Sequence, residues 1–198
     1  SDIIGYTIKL IPIYGVSEQT LMKACKEAGN ANMFCTFQDG IIEVLREVED
    51  SIDRSMFILA SGASITNMRI RDRIFFVIKS RLLEYLKLSN YREFLRAKLG
   101  FFLLPQNWAD GMLDLEKTAS NLWAAAEDKS SDFSYYTKRI SLSALYYSTL
   151  VYFINDFSED FEKTFDFLQR RIGSILAAHN FKKNIRSYLD HICFNNKK

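Results

Sequence analysis

The side chains that most often perform chemistry are few in this 198-residue sequence. The two histidines, His179 and His191, do not lie in the Glu-x-x-His pairs with which di-iron helical bundles bind their metal ions. No Cys/His metal spacing, G-x-S-x-G motif or phosphate-binding loop occurs. Glu43, Glu47 and Asp50 share one face of a predicted helix, but a solvated charged face explains them better than acid–base catalysis. The sequence therefore predicts a protein that is not an enzyme, with no catalytic residue, metal site or cofactor.

The cysteines and the composition limit the class of protein further. Cys25, Cys35 and Cys193 form no C-x-x-C pair and leave an odd count, which favours free, mostly buried thiols in a reducing compartment. Hydrophobic residues make up 48% of the chain and charged residues 25%, which allows a sizeable core. No apolar run reaches ~18 residues and no signal peptide is visible, so we expect no conventional membrane-spanning helix.

The elements that must position any site are predicted to be helices. Strand-like alternation is almost absent, whereas helical spacing recurs throughout, so the predicted fold class is all-α. Ser17 is expected to cap the second helix, and Ser158 is expected to cap a long amphipathic one. Helices are predicted over 2–13, 18–28, 31–37, about 40–60, 65–87, 91–103, 107–127, 132–155, 158–178 and 181–194.

The first three short helices resemble a helix-turn-helix, and a long helix and a larger helical body follow them. This is the layout of TetR-type regulators. The expected recognition segment, 30–37, contains no Arg or Lys, and residues 17–60 carry four cations against eight acids. Because phosphate neutralisation supplies most non-specific DNA affinity, we expect this head not to bind nucleic acid. A ligand-responsive TetR-type transcriptional regulator remains the alternative function.

The predicted organisation therefore has three parts. Residues 1–60 form a helix-turn-helix-like head with its linking helix, residues 61–178 form a helical body, and residues 179–198 form a C-terminal amphipathic helix. A homodimer is expected, as TetR-like bodies often dimerise.

One stretch of sequence is unusually specific. It reads Ser131-Asp132-Phe133-Ser134-Tyr135-Tyr136-Thr137-Lys138-Arg139 and places two aromatic residues directly before two cations at a predicted helix start. Four further motifs accompany it: Leu104-Pro105-Gln106-Asn107, Leu122-Trp123, Asp156-Phe157-Ser158-Glu159-Asp160-Phe161 and Phe167-Leu168-Gln169-Arg170-Arg171-Ile172.

These motifs resemble those of the ubiquinone (coenzyme Q) biosynthesis accessory protein nine family, TetR-like lipid-binding proteins that assist the demethoxyubiquinone hydroxylase. The resemblance implies an apolar pocket for isoprenoid quinone intermediates, a membrane-contacting last helix, and a surface that docks the hydroxylase, whose di-iron site is its own. One departure is Tyr135, which stands where the family often has Trp.

Large aromatic residues supply the candidates for the lipid pocket. The chain has 16 Phe and 10 Tyr, an excess that favours a cavity lined by aromatic side chains. A fully packed core without a cavity remains the alternative. The proposed lining consists of Phe75, Phe101, Leu104, Trp123, Tyr146, Leu150, Phe153, Phe165 and Leu168.

The C-terminal segment combines an apolar stripe with neighbouring cations, a composition typical of a helix lying in the surface of an anionic membrane. The alternative is a helix folded back onto the core. The proposed membrane-binding residues are Phe181, Lys182, Lys183, Ile185, Arg186, Tyr188, Leu189 and Ile192.

The candidate docking surface for the hydroxylase consists of Leu122, Tyr135, Tyr136 and Arg139. Arg139 could instead form a local surface ion pair, which contributes little. Richness in Lys, Asn, Ile and Phe favours a bacterial protein, cytoplasmic and peripheral on the inner membrane. The matrix side of the mitochondrial inner membrane remains the alternative.

Overall fold

A computed structural model describes residues 2–63, 65–127 and 135–175 of the chain. Across these residues only helices and turns form, which confirms the all-α prediction. The helices are α1 (Asp2–Tyr14), α2 (Glu18–Glu27), α3 (Ile41–Gly62), α4 (Ile70–Glu84), α5 (Tyr91–Phe102), α6 (Trp108–Ala125), α7 (Tyr135–Ile154) and α8 (162–175). Short 3-10 turns occupy Ala31–Thr36, Ile65–Asn67, Tyr85–Lys87, Pro105–Asn107 and Glu159–Phe161.

The head is built from α1, α2 and the 3-10 turn that follows. Ser17 caps α2 as predicted, because its hydroxyl accepts a hydrogen bond from the Thr20 amide at 3.3 Å. Gly40 then has a φ of 56°, and a Cβ there would lie 2.3 Å from the Glu18 carboxylate. This close approach lets Glu18 accept the Ile41 amide at 3.0 Å and fix the start of α3 against α2.

The segment predicted as a helix over 31–37 is a 3-10 turn instead, over Ala31–Thr36. The segment predicted over 65–87 is likewise shorter, since the α-helix covers only Ile70–Glu84 and a 3-10 turn lies on either side. The predicted domain boundary at residue 60 falls within α3, which ends at Gly62, and the three-part division stays a prediction.

A continuous hydrophobic core joins the head to the body. Leu21 of the head, Leu45 of α3 and Leu82 of α4 are fully buried in it, together with Leu150 of α7 and Leu168 of α8. Because α3 buries residues along its whole length, it serves both as the link and as a central element of the body.

The helix predicted over 158–178 begins later than expected. Asp160 and Phe161 have positive φ values of 48° and 58°, which interrupts helical geometry, and α8 starts at residue 162. Ser158 still accepts the Lys163 amide at 3.2 Å, but Asp156 accepts both the amide and the hydroxyl of Thr164. Asp156 is therefore the main cap of α8.

Candidate functional site

The proposed lipid-lining residues differ in how deeply they are buried. Tyr146, Leu150 and Phe153 of α7 and Phe165 and Leu168 of α8 are all buried. Their spacing along the two helices places them on the faces that turn toward the body, because residues three and four apart share one helix face. The structure therefore brings these five residues into the interior of the body.

The aromatic members of this set are enclosed by other rings. Phe153 lies 5.6 Å from Tyr91 and 4.7 Å from Phe161, measured between ring centroids, and Phe75 meets Phe165 edge to face at 6.3 Å. A lipid chain along this wall must therefore displace contacts between side chains, since their faces are already covered.

The remaining four candidates lie nearer the surface. Phe75, Phe101 and Trp123 are half-buried and pack against the core, whereas Leu104 is exposed at the turn between α5 and α6. The structure does not bring Leu104 together with the buried set.

An open pocket of about 630 Å³ lies on the outer side of α7, next to the start of α8. No sequence pattern pointed to it. Its volume suits a small ligand, and it combines apolar side chains with one ammonium group. The lining residues are Ser148, Val151, Tyr152, Asn155, Asp156, Phe157, Ser158 and Lys163.

A buried cluster of charged side chains lies inside the body, and the sequence analysis missed it. Arg81 of α4 is fully buried and donates to Asp53 at 2.6 Å and to Glu49 at 2.7 Å, both on α3. Its second terminal nitrogen donates to the hydroxyls of Tyr85 and Tyr146. Tyr85 in turn donates to Glu49 at 2.7 Å. One guanidinium thus joins α3, α4 and α7 through its hydrogen bonds.

A second cation extends this cluster toward α5 and α6. The ammonium of Lys98 lies 2.6 Å from Glu49 and 3.0 Å from Asp114, and Tyr147 of α7 donates to Asp114 at 2.9 Å. Lys98 is as buried as its partner Glu49. The cluster therefore ties five helices together, and each buried charge has at least one charged or hydrogen-bonding partner.

The electrostatics of the cluster keep Glu49 ionised at neutral pH. Burial alone raises the pKa of Glu49, but the charges of Lys98 and Arg81 outweigh burial and lower this pKa to about 2. Burial raises the pKa of Tyr146 to about 12, so its hydroxyl keeps its proton. The cluster is saturated by its own contacts, which makes it a structural device rather than a site for a ligand.

A sequence signal for this cluster did exist. Glu49 and Asp53 interrupt the apolar face of α3 at i and i+4, and Lys98 lies next to the apolar pair Phe94-Leu95. A charged residue within an apolar stripe is buried with it and needs a partner of opposite charge. Pairing such interruptions across helices would have found the cluster.

The predicted docking surface needs one correction. Leu122 is only 1% exposed and lies in the core, because it shares a helix face with the buried Ala119 and Ala126. Arg139 is half-buried and donates to the Ser120 hydroxyl at 3.0 Å. Tyr135 and Tyr136 begin α7, and their side chains lie outside the described part of the structure.

Two further predictions concern residues outside the described part of the structure. The C-terminal amphipathic helix with its eight membrane-binding residues lies there, as does the stretch 131–134 of the aromatic motif. Among the described residues, no helix is long and apolar enough to cross a membrane. The same residues contain no group of three or more His, Cys, Asp or Glu that could hold a metal ion.

The eight helices of the described residues pack around one core in the arrangement of a TetR-like fold. The crystal structure of a TetR transcriptional regulator from Nitrosomonas europaea superposes with a TM-score of 0.68 over 87% of this chain and 95% of that one, at 17% sequence identity. At this identity the likeness shows the fold alone.

Sequence comparison shows which proteins the chain is similar to. The family model described as COQ9 matches residues 108–179, which begin with α6 and include α7 and α8. The mitochondrial ubiquinone biosynthesis protein COQ9-B of Xenopus laevis is 27% identical over 93% of this chain and 65% of its own length. The probable mitochondrial coq9 protein of Dictyostelium discoideum is 27% identical over 92% of this chain and 61% of its own length.

These matches confirm the resemblance to the ubiquinone biosynthesis COQ9 family. A shorter match to the human COQ9 protein is 32% identical over 49% of this chain and 30% of that protein. The chain spans less than two thirds of the length of these curated relatives.

Proposed function

We propose that this protein is a non-catalytic accessory factor of ubiquinone biosynthesis. It binds isoprenoid quinone intermediates in its helical body and presents them to the demethoxyubiquinone hydroxylase at a membrane surface. The observation that carries the proposal is the overlap between the family match and the apolar wall. Residues 108–179 include all five deeply buried lining candidates, which α7 and α8 supply. Four of them are apolar, whereas the hydroxyl of Tyr146 belongs to the ionic cluster and only its ring can contribute to the wall.

The alternative, a ligand-responsive transcriptional regulator, has less support. The described segment Ala31–Thr36 is a single 3-10 turn without a cation, whereas a recognition helix needs side chains that reach base edges and phosphates. The acidic balance of residues 17–60 opposes DNA binding further.

The names of the relatives favour the mitochondrial option for location over the bacterial one. On this proposal the protein works as a peripheral protein on the matrix side of the inner membrane, and as a homodimer.

The lipid part of the proposal is tested with a matched pair of substitutions. Leu150→Trp fills space at the buried wall, so it should displace bound lipid, whereas Ile140→Trp adds the same ring at an exposed position of α7 and should leave lipid bound. Lipid per protomer is measured by mass spectrometry of organic extracts, and circular dichroism verifies the helices. Leu150→Phe replaces Leu150→Trp if the larger ring prevents folding. Equal lipid content in a folded wall variant and in Ile140→Trp would contradict the assigned wall.

The docking part is tested at the start of α7. Tyr135→Lys should reduce pull-down of the demethoxyubiquinone hydroxylase at least tenfold while lipid content stays constant, because a charge replaces a large aromatic contact. Val151→Lys, in the same helix and exposed, is the control and should retain the complex. Retention of the complex by Tyr135→Lys would remove this residue from the docking surface.

A further inference from the structure

The turn between α5 and α6 exposes an unusual number of large apolar side chains. Leu103 is 83% exposed and Trp108 is 66% exposed, and Leu104, Met112 and Leu113 are exposed beside them in sequence. We call residues 103–113 the α5–α6 corner. A folded protein rarely leaves so many large apolar residues together in contact with water unless the surface has a partner.

Charge is nearly absent from this corner. From Leu99 through Ala109 eleven consecutive residues carry no charge, and the first acid, Asp110, lies 3.0 Å from the guanidinium of Arg46. A protein partner that binds through charged side chains would have no counter-charge along this stretch. The uncharged surface therefore favours a partner that binds mainly through apolar contact.

Several backbone amides of the corner are hydrogen-bonded internally. The amides of Leu103, Leu104 and Asn107 donate to carbonyls within the corner or the last turn of α5, and Pro105 has no amide hydrogen to satisfy. The Asn107 side chain donates to the Phe101 carbonyl at 3.0 Å. A segment that enters hydrocarbon must pair its polar backbone groups internally, because acyl chains offer no replacement for water.

We propose that the α5–α6 corner inserts into the interfacial layer of a lipid bilayer, with Leu103 and Leu104 entering the acyl chains and Trp108 lying at the headgroup level. Tryptophan is enriched at this depth because its ring is apolar and its indole N–H can meet polar groups. The insertion is hydrophobic rather than electrostatic, so salt should affect it little.

This inference deepens the membrane part of the proposed function and rests on it. It assigns a membrane contact to described residues of the body, distinct from the C-terminal segment that the sequence predicted. Because that segment is rich in cations, its contact requires anionic lipid. The uncharged corner should insert into neutral lipid as well. Vesicles of different charge therefore separate the two contacts.

The experiment measures binding of the full chain to vesicles of pure phosphatidylcholine and of phosphatidylcholine mixed with anionic phosphatidylglycerol. Leu103→Glu should lower partition onto the neutral vesicles by about tenfold or more, because burial of a leucine is lost and a charge must be desolvated. Ile58→Glu is the matched control: Ile58 is 72% exposed on α3 and lies ~18 Å along that helix from Arg46, which contacts the corner. It should leave partition unchanged.

Tryptophan fluorescence provides a second readout that does not depend on a charged variant. Phosphatidylcholine brominated on its acyl chains should quench the wild-type protein, and Trp108→Phe should remove most of that quenching while partition persists. Both substitutions are at exposed positions, and far-UV circular dichroism verifies that the variants are folded.

Three results would overturn the proposal. The first is equal partition of Leu103→Glu and Ile58→Glu, and the second is quenching that survives in Trp108→Phe. The third is binding to anionic vesicles alone, which would leave the membrane part of the proposed function standing but remove the corner from it. A shift in oligomeric state by Leu103→Glu with unchanged partition would assign the surface to a second copy of the chain instead.

Discussion

At the scale of single residues, the most consequential feature is the buried guanidinium of Arg81. Its hydrogen bonds reach two carboxylates of α3 and two tyrosine hydroxyls, and Asn121 of α6 adds a bond of 2.7 Å to Asp53. These partners compensate for the loss of water around each ion. Removing the guanidinium leaves Asp53 buried with Asn121 as a neutral partner. It leaves Glu49 with Lys98 and Tyr85. Loss of one partner from such a buried cluster costs more than the pair contributes, because the remaining charges are less well compensated.

We therefore expect Arg81→Met to lower the free energy of unfolding by about 3–5 kcal/mol, because Glu49 and Asp53 lose their guanidinium. The matched control is Arg54→Met, which breaks a pair with Glu47 that solvent screens, and it should cost less than about 1 kcal/mol. Urea denaturation followed by circular dichroism measures both. A cost for Arg81→Met equal to that of the control would show that the cluster has no special role in stability.

Some residues were placed correctly from the sequence and others were not. The interpretation of Glu43, Glu47 and Asp50 as a charged face in contact with solvent agrees with their exposed or half-exposed positions. The prediction that Leu122 lies on the surface was wrong, because a sequence motif does not show which of its residues face the core. Its neighbours at i−3 and i+4 are alanines, which give a weak hydrophobic signal.

At the scale of elements, α8 shows how one side chain sets a helix boundary. The sequence placed the cap at Ser158, but the carboxylate of Asp156 accepts the Thr164 amide at 2.8 Å and the Ser158 amide at 2.9 Å. Asp160 and Phe161, the last two residues of the 3-10 turn, have positive φ values, so regular helical geometry begins only after them. Sequence patterns rarely reveal such a distant cap, since capping rules refer to the residues directly beside the helix.

We expect Asp156→Ala to lower the free energy of unfolding by about 1–2 kcal/mol at pH 7, because α8 loses its main cap. Burial raises the pKa of Asp156, but hydrogen bonds from Ser158 and Thr164 outweigh it and lower this pKa to about 2. The unfolded carboxyl therefore binds protons at higher pH than the folded one. The stability that it contributes is present above about pH 4 and is lost as the pH falls through about 2.

Urea denaturation at a series of pH values checks this expectation. The gap between wild type and Asp156→Ala should narrow from pH 4 toward pH 2. Asp166→Ala, at an exposed position of the same helix, should remain close to wild type at every pH. A gap for Asp156→Ala that stays constant across this range would contradict the assigned role of its charge.

At the scale of the whole molecule, the fold class and the family resemblance were predictable from sequence. Helical periodicity defined most helices to within a few residues, as for α5, predicted over 91–103 and found at Tyr91–Phe102. The segment over 158–178 was predicted to be amphipathic, and Phe165, Leu168 and Ile172 share the buried face of α8. The depth of each lining residue was not predictable, because periodicity gives the direction of a side chain but not the distance to solvent.

The shape of the molecule gives the proposed function its physical basis. The protein has a TetR-like fold whose N-terminal head lacks a basic DNA-recognition helix. Its helical core and buried aromatic wall are nevertheless present. The ionic cluster holds α3 through α7 together from within. On the proposed function, rearrangement for a ligand therefore falls to the apolar contacts that α7 and α8 make with neighbouring elements. The central claim is that these contacts open around an isoprenoid chain.

The most direct test of this claim is mass spectrometry of organic extracts from the purified, folded wild-type protein. The account predicts a polyprenyl quinone, or another long apolar chain, at close to one molecule per protomer. An extract free of such lipid, from protein whose helices are intact by circular dichroism, would contradict the account and favour a filled core.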